Sequence, residues 1–140
     1  MDDLAIAKQR LKDKELSLVF VKNSKLIFET KKEGLSGFLQ ALKEYNSALS
    51  EASVADKIIG QAAALLCVYS KAKAAFAITL SQGGLEILNT HQIHIEFEDL
   101  TPTILNLKKT DQCPFEKLVE NVTEPRRAYE KIKRFCYSLK

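Results

Sequence analysis

Two short stretches of this chain carry side chains that together could do covalent chemistry. Asp56 and Lys57 stand next to each other in an otherwise apolar stretch, and Cys113 is followed three residues later by Glu116. A thiol can act as a nucleophile, a carboxyl group can carry a proton, and an amine can hold an anion or keep a nearby thiol ionised. This chemistry requires a fold that brings the two stretches to one place.

The first stretch is predicted to open a buried helix over residues 53–69. Apolar side chains recur there on nearly every side at helical spacing, which is typical of a helix inside a protein core. Ser53 is a favourable N-cap, and Asp56 completes a pattern similar to a capping box. Asp56 therefore has a structural explanation. Lys57 opposes the helix dipole by roughly 0.3–1 kcal/mol, which favours a ligand or partner role for its amine over that of an ordinary solvated lysine.

The second stretch is predicted to open a shorter helix over residues 114–122. Proline is favoured at the first helical position, so Pro114 places Cys113 at the N-cap and Glu116 in the first turn. The helix dipole and the exposed N–H groups of a helix start favour the thiolate form of a cysteine. The structural alternative is a buried cysteine followed by an ordinary first-turn glutamate.

The remaining periodicities predict an α/β protein with a mixed sheet that begins with a β-hairpin. Asn23 and Ser24 are predicted to form the hairpin turn. Strands alternate with helices after the hairpin, which predicts a three-layer α/β/α sandwich. The predicted strands are 16–21, 25–30, 74–80 and 93–98, and the predicted helices are 3–13, 35–45, 53–69, a short one through 85–88, a turn over 101–105, 114–122, and a last one after Thr123.

Length and composition predict a single globular domain over residues 1–140. Hydrophobic residues make up 46% of the chain and charged residues 28%, with a net charge of +3. No apolar run is long enough for a membrane span or shaped like a signal peptide. Three cysteines form no disulfide framework, so a reducing cytoplasm is the simplest location.

The two motifs also carry a family resemblance. The stretch Val54-Ala55-Asp56-Lys57-x-x-Gly60-x-Ala62-Ala63, followed by Asn106…Thr110…Cys113-Pro114-x-Glu116, resembles a small prokaryotic family of unknown function with a cytidine-deaminase-like fold. The resemblance runs from about residue 16 to residue 135. In the family's pattern an arginine follows the asparagine and a glycine follows the threonine. Leu107 and Asp111 stand there instead, which weakens any phosphate-binding role of that loop.

The resemblance implies that the two helix starts face each other. In zinc deaminases, the corresponding helix starts carry the metal ligands and converge on the ion. Neither motif of this chain keeps its metal-binding form, and a zinc site needs three or four ligands. His91 and His94 are a poor metal pair, because positions three apart on a strand point to opposite faces. We therefore expect no metal and no cofactor.

The leading hypothesis is a metal-free small-molecule site where these helix N-termini meet. Such a cleft favours an anionic or electron-rich ligand, and the fold's usual ligands suggest a nucleotide-like compound by analogy. Cys113 is the candidate nucleophile, with Asp56 or Glu116 as proton carrier and Lys57 as the charge clamp. Gly60, Ser81 and Asn106 are the predicted ligand-binding residues. The alternative is a non-catalytic binding or regulatory module, so whether the protein is an enzyme stays open.

Two further surfaces concern macromolecular partners. A stripe of small side chains on the buried helix favours close approach of another helix, either from the same chain or from the second subunit of a homodimer; it consists of Gly60, Ala63, Ala64 and Cys67. The last helix carries a run of cations: Arg126, Arg127, Lys131, Lys133, Arg134 and Lys140. Such runs are usually solvated. No aromatic stacking platform accompanies this one, and the chain as a whole is only mildly basic, so the sequence gives little support for nucleic-acid binding.

Overall fold

The computed structural model describes residues 2–106, 109 and 111–138. Five strands form the sheet: β1 (Leu18–Lys22), β2 (Lys25–Thr30), β3 (Ser53–Ile59), β4 (Ala74–Ser81) and β5 (His94–Thr101). Six α-helices surround it: α1 (Asp3–Asp13), α2 (Ser36–Tyr45), α3 (Gln61–Tyr69), α4 (Gln82–Thr90), α5 (Pro114–Leu118) and α6 (Pro125–Ser138), with a 3-10 turn at Asn46–Leu49. Leu107, Thr110 and Lys140, which the sequence analysis names, lie outside the described residues, as do Met1, Lys108 and Leu139.

The sheet is mixed and begins with the predicted hairpin. β1 pairs with β2 through a turn in which Asn23 and Ser24 both have positive φ angles of 53° and 64°, as a type I′ turn requires. The Asp3 carboxylate accepts hydrogen bonds from the N–H groups of both turn residues, which ties α1 to the hairpin. β1 also pairs antiparallel with β3, while β3, β4 and β5 run parallel, in the order β2-β1-β3-β4-β5.

Helices cover both faces of the sheet. On one face, α1 buries Leu4, Ala7 and Leu11 against Val19 and Phe76. On the other face, α2, α3, α4 and α6 pack over the larger core, whose biggest buried side chains include Phe20, Phe38, Leu65, Leu66, Leu88 and Ile132. This arrangement is the predicted three-layer α/β/α architecture.

The predicted helix over residues 53–69 is wrong in its first half. Residues 53–59 form β3, which is hydrogen-bonded to β1 on one side and to β4 on the other, and the helix begins only at Gln61. A buried strand that leads into a buried helix is apolar throughout, so periodicity cannot locate the junction. Asp56 and Lys57 therefore lie on a strand, and Ser53 caps no helix.

Two glycines mark the junctions at the starts of α3 and α4. Gly60 is the N-cap of α3 and has an extended backbone, with φ −102° and ψ −162°. Gly84, in the first turn of α4, lies against this junction so closely that an added Cβ would stand 3.0 Å from the Gly60 carbonyl oxygen. The small residues of α3 therefore let neighbouring helices of the same chain approach, and Ala63, Ala64 and Cys67 are buried in its core.

The later part of the chain departs from prediction in its boundaries. The predicted helical turn over 101–105 is absent, because β5 extends to Thr101 and Leu105 forms an isolated bridge with Gln112. α5 ends at Leu118 instead of 122, and α6 begins at Pro125. No helix among the described residues is long and apolar enough to cross a membrane.

Candidate functional site

A cavity of about 690 Å³ opens at the carboxyl end of β3. Its walls come from the loop after β2, the end of β3, the start of α3, the segment after β5 and the start of α5. The side chains that matter chemically are Ser17, Glu33, Asp56, Lys57, Asn106, Cys113 and Glu116. The apolar part of the wall includes Leu35, Ile58, Leu105, Pro114 and Phe115.

The two halves of the site are held together by Glu116. Pro114 starts α5 as predicted, and this places Glu116 one turn into the helix, where it is 5% exposed. Its Oε1 accepts a hydrogen bond from the Gln61 N–H at 2.6 Å, and its Oε2 accepts one from the Ala62 N–H at 2.8 Å. The carboxylate thus caps the start of α3 from a distant part of the chain.

Burial and the two N–H donors act in opposite directions on Glu116. Burial raises the pKa of its carboxyl, and the hydrogen bonds from Ala62 and Gln61 lower it by less. The same donors are the ones that a bound anion would need at the start of α3. They already have an anionic partner from within the chain, so the prediction that this helix start favours an anionic ligand is corrected.

Gly60 leaves the space that the Glu116 carboxylate occupies. A Cβ added to Gly60 would overlap the carboxyl group of Glu116 and would also stand 2.8 Å from Cγ1 of Ile104. Gly60 does line the cavity, but the close approach of a carboxylate to its Cα explains this glycine without any ligand.

Asp56 is a carboxyl group with few hydrogen-bond donors around it. It alternates along β3 with Ala55, so its side chain shares the α3 face of the sheet with Val54. Burial raises the pKa of Asp56 to about 7, and the N–H groups of Ile58, 3.4 Å from Oδ1, and Lys57 offset this only in part. Near neutral pH the group can therefore either donate or accept a hydrogen bond.

Asp56 lies close enough to α3 for its negative charge to act on the thiol of Cys67. Burial raises the pKa of the Cys67 thiol, and the negative charge of Asp56 raises it further. Cys67 is completely buried and is not part of the cavity wall. It is therefore a core residue and no candidate nucleophile.

Lys57 lies at the mouth of the cavity with half of its side chain exposed. Its Nζ is 3.4 Å from Oε1 of Glu33, a residue of the loop after β2 that also lines the cavity. The partner of this cation is thus a carboxylate. Sequence reasoning missed Glu33, because it follows two lysines in a charged loop and no spacing rule connects it to β3.

Cys113 is half-buried and lines the cavity at the N-cap of α5. Its backbone is fixed on both sides: its N–H donates to the Ile104 carbonyl at 2.8 Å, and its carbonyl accepts from the N–H groups of Glu116 and Lys117. Its thiol makes no capping hydrogen bond. The backbone contacts hold the cysteine at the wall and leave its side chain out of the helix cap.

The structure brings six of the seven predicted site residues to one cavity and leaves one out. Asn106 lies in the wall next to Leu105, with its N–H bonded to the Asp111 carbonyl at 2.9 Å. Ser81 is not among the described lining residues. It is 2% exposed, and its Oγ accepts a hydrogen bond from the Gly84 N–H at the start of α4. Ser81 is a helix cap, and its assignment as a ligand-binding residue stays a prediction.

Among residues 2–106, 109 and 111–138, no three His, Cys, Asp or Glu side chains are grouped so that they could hold a metal ion. His94 lies on β5, outside the cavity wall, where its ring contacts Glu96.

The profile of the family described as "TM1506: Domain of unknown function (DUF1893)" matches residues 6–136. The chain belongs to this family.

The fold of this DUF1893 protein is shared by solved structures. A DUF1893 family protein from Thermotoga maritima is 27% identical, with a TM-score of 0.86 over 94% of this chain and 88% of the other. Two forms of Acinetobacter baumannii RibD, a protein with a cytidine-deaminase-like fold, match with TM-scores of 0.54 and 0.50 at 17% and 19% identity. The chain spans only 35% and 28% of those two chains. No curated protein matches the chain.

The Glu116 cap predicts a coupling between two substitutions. Glu116→Ala leaves the N–H groups of Gln61 and Ala62 without their acceptor, so we expect the free energy of unfolding to fall by about 2–4 kcal/mol. Gly60→Ala displaces the carboxylate and should be strongly destabilising in the wild-type background. In the Glu116→Ala background the part of that cost that comes from the carboxylate should disappear, whereas the contact with Ile104 remains.

Urea unfolding of the wild type, both single variants and the double variant measures this coupling. Glu120→Ala is the matched control, because Glu120 is an exposed glutamate in the turn after α5; it should change stability by less than about 0.5 kcal/mol. Additive costs of the Gly60 and Glu116 substitutions would contradict the role assigned to the glycine.

The raised pKa of Asp56 predicts that the free energy of unfolding decreases with rising pH. The folded protein keeps the Asp56 proton up to about pH 7, whereas the unfolded chain loses it near the ordinary pKa of 3.8. The folded state therefore binds more protons between these values, and the free energy of unfolding decreases as pH rises from about 4 to about 7. The difference between the two pKa values corresponds to a loss of at most about 4 kcal/mol in the free energy of unfolding.

Asp56→Asn should remove this component and be more stable than the wild type at pH 8. Denaturant unfolding across the pH range measures the difference between the two profiles; Glu116, whose pKa is also raised, contributes equally to both. Asp99→Asn, at an exposed position on β5, should keep the wild-type profile. A wild-type profile in Asp56→Asn would show that Asp56 is not the titrating group.

Proposed function

We propose that this DUF1893 protein binds a small organic molecule in the cavity at the end of β3, with Asp56 as the polar anchor. The observation that carries the proposal is the cavity itself, where a few polar side chains converge on a largely apolar wall. Its volume of about 690 Å³ is within the usual range for small-molecule sites, roughly 300–1,000 Å³.

The state of Asp56 favours a neutral ligand that offers a donor and an acceptor side by side. Around pH 7 its carboxyl is partly protonated, so it can donate from one oxygen and accept at the other. The edge of a nucleobase-like heterocycle has this pattern. Phe115, Leu35 and Ile58 supply an apolar surface for the plane of such a ring. At the mouth of the cavity, the Lys57 amine can hold an anionic substituent of the ligand in place of the Glu33 carboxylate.

Cys113 is the candidate reactive group of this site. Cys113 lines the same cavity as Asp56, so a ligand that is bound to the Asp56 carboxyl lies in a cavity whose wall contains a nucleophile. Glu116 is committed to the α3 backbone, so Asp56 is left as the proton carrier in this proposal.

The second candidate is a non-catalytic binding or regulatory module with the same cavity. It is favoured by two contacts: Glu116 caps α3 and Lys57 pairs with Glu33, so two of the groups that would activate the thiol are engaged elsewhere. The two candidates share the ligand and differ only in the role of Cys113.

Ligand binding is tested by melting-temperature shifts with free nucleobases and nucleosides, followed by calorimetry on any compound that stabilises the protein. If the protonated carboxyl is the anchor, the affinity of the wild type falls as pH rises above about 7. Asp56→Asn keeps a donor and an acceptor, so it should bind with little pH dependence. Asp56→Leu should weaken binding about tenfold or more.

The control for ligand binding is Asp99→Leu, an exposed aspartate on β5 that should bind like the wild type. Absence of a shift with every nucleobase and nucleoside would reject the ligand class. Unchanged pH dependence in Asp56→Asn would reject the anchor.

The role of Cys113 is tested by iodoacetamide alkylation at one neutral pH, followed by peptide mapping. If Lys57 assists a catalytic thiolate, Cys113 is alkylated more slowly in Lys57→Met than in the wild type. Free N-acetylcysteine, alkylated in the same solution, is the reference. An equal rate of Cys113 alkylation in the two proteins would favour the non-catalytic module.

A further inference from the structure

The outward face of α6 concentrates positive charge. This helix contains five cations and one carboxylate, a net charge of +4, whereas the entire chain has a net charge of only +3. The rest of the chain is thus slightly acidic. Such an asymmetry points to an electrostatic partner for one surface more than to general solubility.

The charges of α6 lie on the side that faces away from the core. Ala128 and Ile132 are fully buried against the larger core, so the apolar side of the helix is already covered. The exposed cations are Arg126, Arg127, Lys133 and Arg134. Glu130 is the single carboxylate on α6, and its Oε1 lies 3.2 Å from Nε of Arg126, so most of the positive charge remains uncompensated within the helix.

Tyrosine rings accompany these cations, which the sequence analysis did not foresee. Tyr129 stacks on Tyr69 of α3, with ring centroids 4.4 Å apart and planes 10° from parallel. Lys133 Nζ lies 5.7 Å from the centroid of the Tyr129 ring. Tyr137, one turn beyond Lys133, is 53% exposed, and Tyr69 is 36% exposed. Tyr129 and Tyr137 are about 12 Å apart along the axis, from the ordinary rise of a helix.

Tyr129 and Tyr137 are part of the basic run in sequence, but Tyr69 is not. Tyr69 stands on α3, far from α6 in sequence, so no local pattern connects it with the run. Lys140, which the sequence analysis included in the run, lies outside the described residues.

The burial of the apolar side of α6 restricts the class of partner that this helix can bind. An amphipathic helix binds a membrane surface by inserting its apolar face, and here that face is part of the core. Exposed aromatic rings between cations are the pattern with which proteins bind single-stranded nucleic acids, because phosphates pair with the cations and bases stack on the rings. An acidic protein surface would use the cations alone.

We propose that the outward face of α6, together with Tyr69, binds single-stranded nucleic acid. Arg126, Arg127, Lys133 and Arg134 contact phosphates, and the exposed rings of Tyr69 and Tyr137 stack against bases. The proposal rests on α6 and does not depend on the cavity at the end of β3.

Fluorescence anisotropy with a labelled single-stranded oligonucleotide of mixed sequence, over a series of salt concentrations, tests the proposal. The logarithm of the affinity should fall with the logarithm of salt by roughly 0.7 for each phosphate contact. Replacing Arg127 and Arg134 by alanine should therefore reduce the slope by about 1.4. Tyr137→Ala should weaken binding about fivefold or more while leaving the slope unchanged.

The matched control replaces Lys25 and Lys43 by alanine, because these exposed lysines lie on β2 and α2 and their loss removes the same charge. It should keep the wild-type slope. Circular dichroism should show the same helix content in all variants, since every substituted side chain is exposed. No binding at low salt, an equal loss of slope in the control, or a Tyr137→Ala variant that binds like the wild type would each overturn the proposal.

Discussion

The site depends on one contact, the Glu116 carboxylate on the first N–H groups of α3. The Ala62 N–H is buried and the Gln61 N–H is part-buried at this helix start, and leaving a buried donor unpaired would cost about 1–3 kcal/mol. Their acceptor comes from 54–55 residues further along the chain. The contact therefore fixes α5 against α3, which places Cys113 in the cavity wall and requires glycine at position 60. In this chain a carboxylate–amide contact joins the two helix starts.

The parts of the fold that local signals determine were predictable. The hairpin follows from Asn23-Ser24 between two β-rich runs, and α1 and α4 follow from helical spacing. β3 was not predictable from its own residues, because its hydrogen bonds are made with β1 and β4; Asp56, for instance, pairs with Leu18 on one side and Ala77 on the other. Where strand and helix are both buried, long-range pairing decides the boundary, and the periodicity of side chains does not.

The composition of the site was easier to predict than the roles of its residues. The paired motifs named Asp56, Lys57, Cys113 and Glu116, and all four line one cavity. Their partners could not be read from the sequence, since the acceptor for the α3 donors and the partner of Lys57 both come from distant segments. Glu116 was predicted as a proton carrier and is engaged as a helix cap, a role that only the distance to Gln61 reveals.

The shift of Asp56 from helix to strand changes its chemistry. At a helix N-terminus, the dipole and free N–H groups would hold its carboxyl ionised at neutral pH. On β3 it lacks those donors, the Ile58 N–H reaches it only at 3.4 Å, and burial dominates, so its pKa rises to about 7. A fixed anion would repel electron-rich ligands, whereas a carboxyl that carries a proton can bind them. In the proposed site, this change favours a hydrogen-bonding heterocycle over an anion as the ligand, whereas the predicted helix favoured an anion.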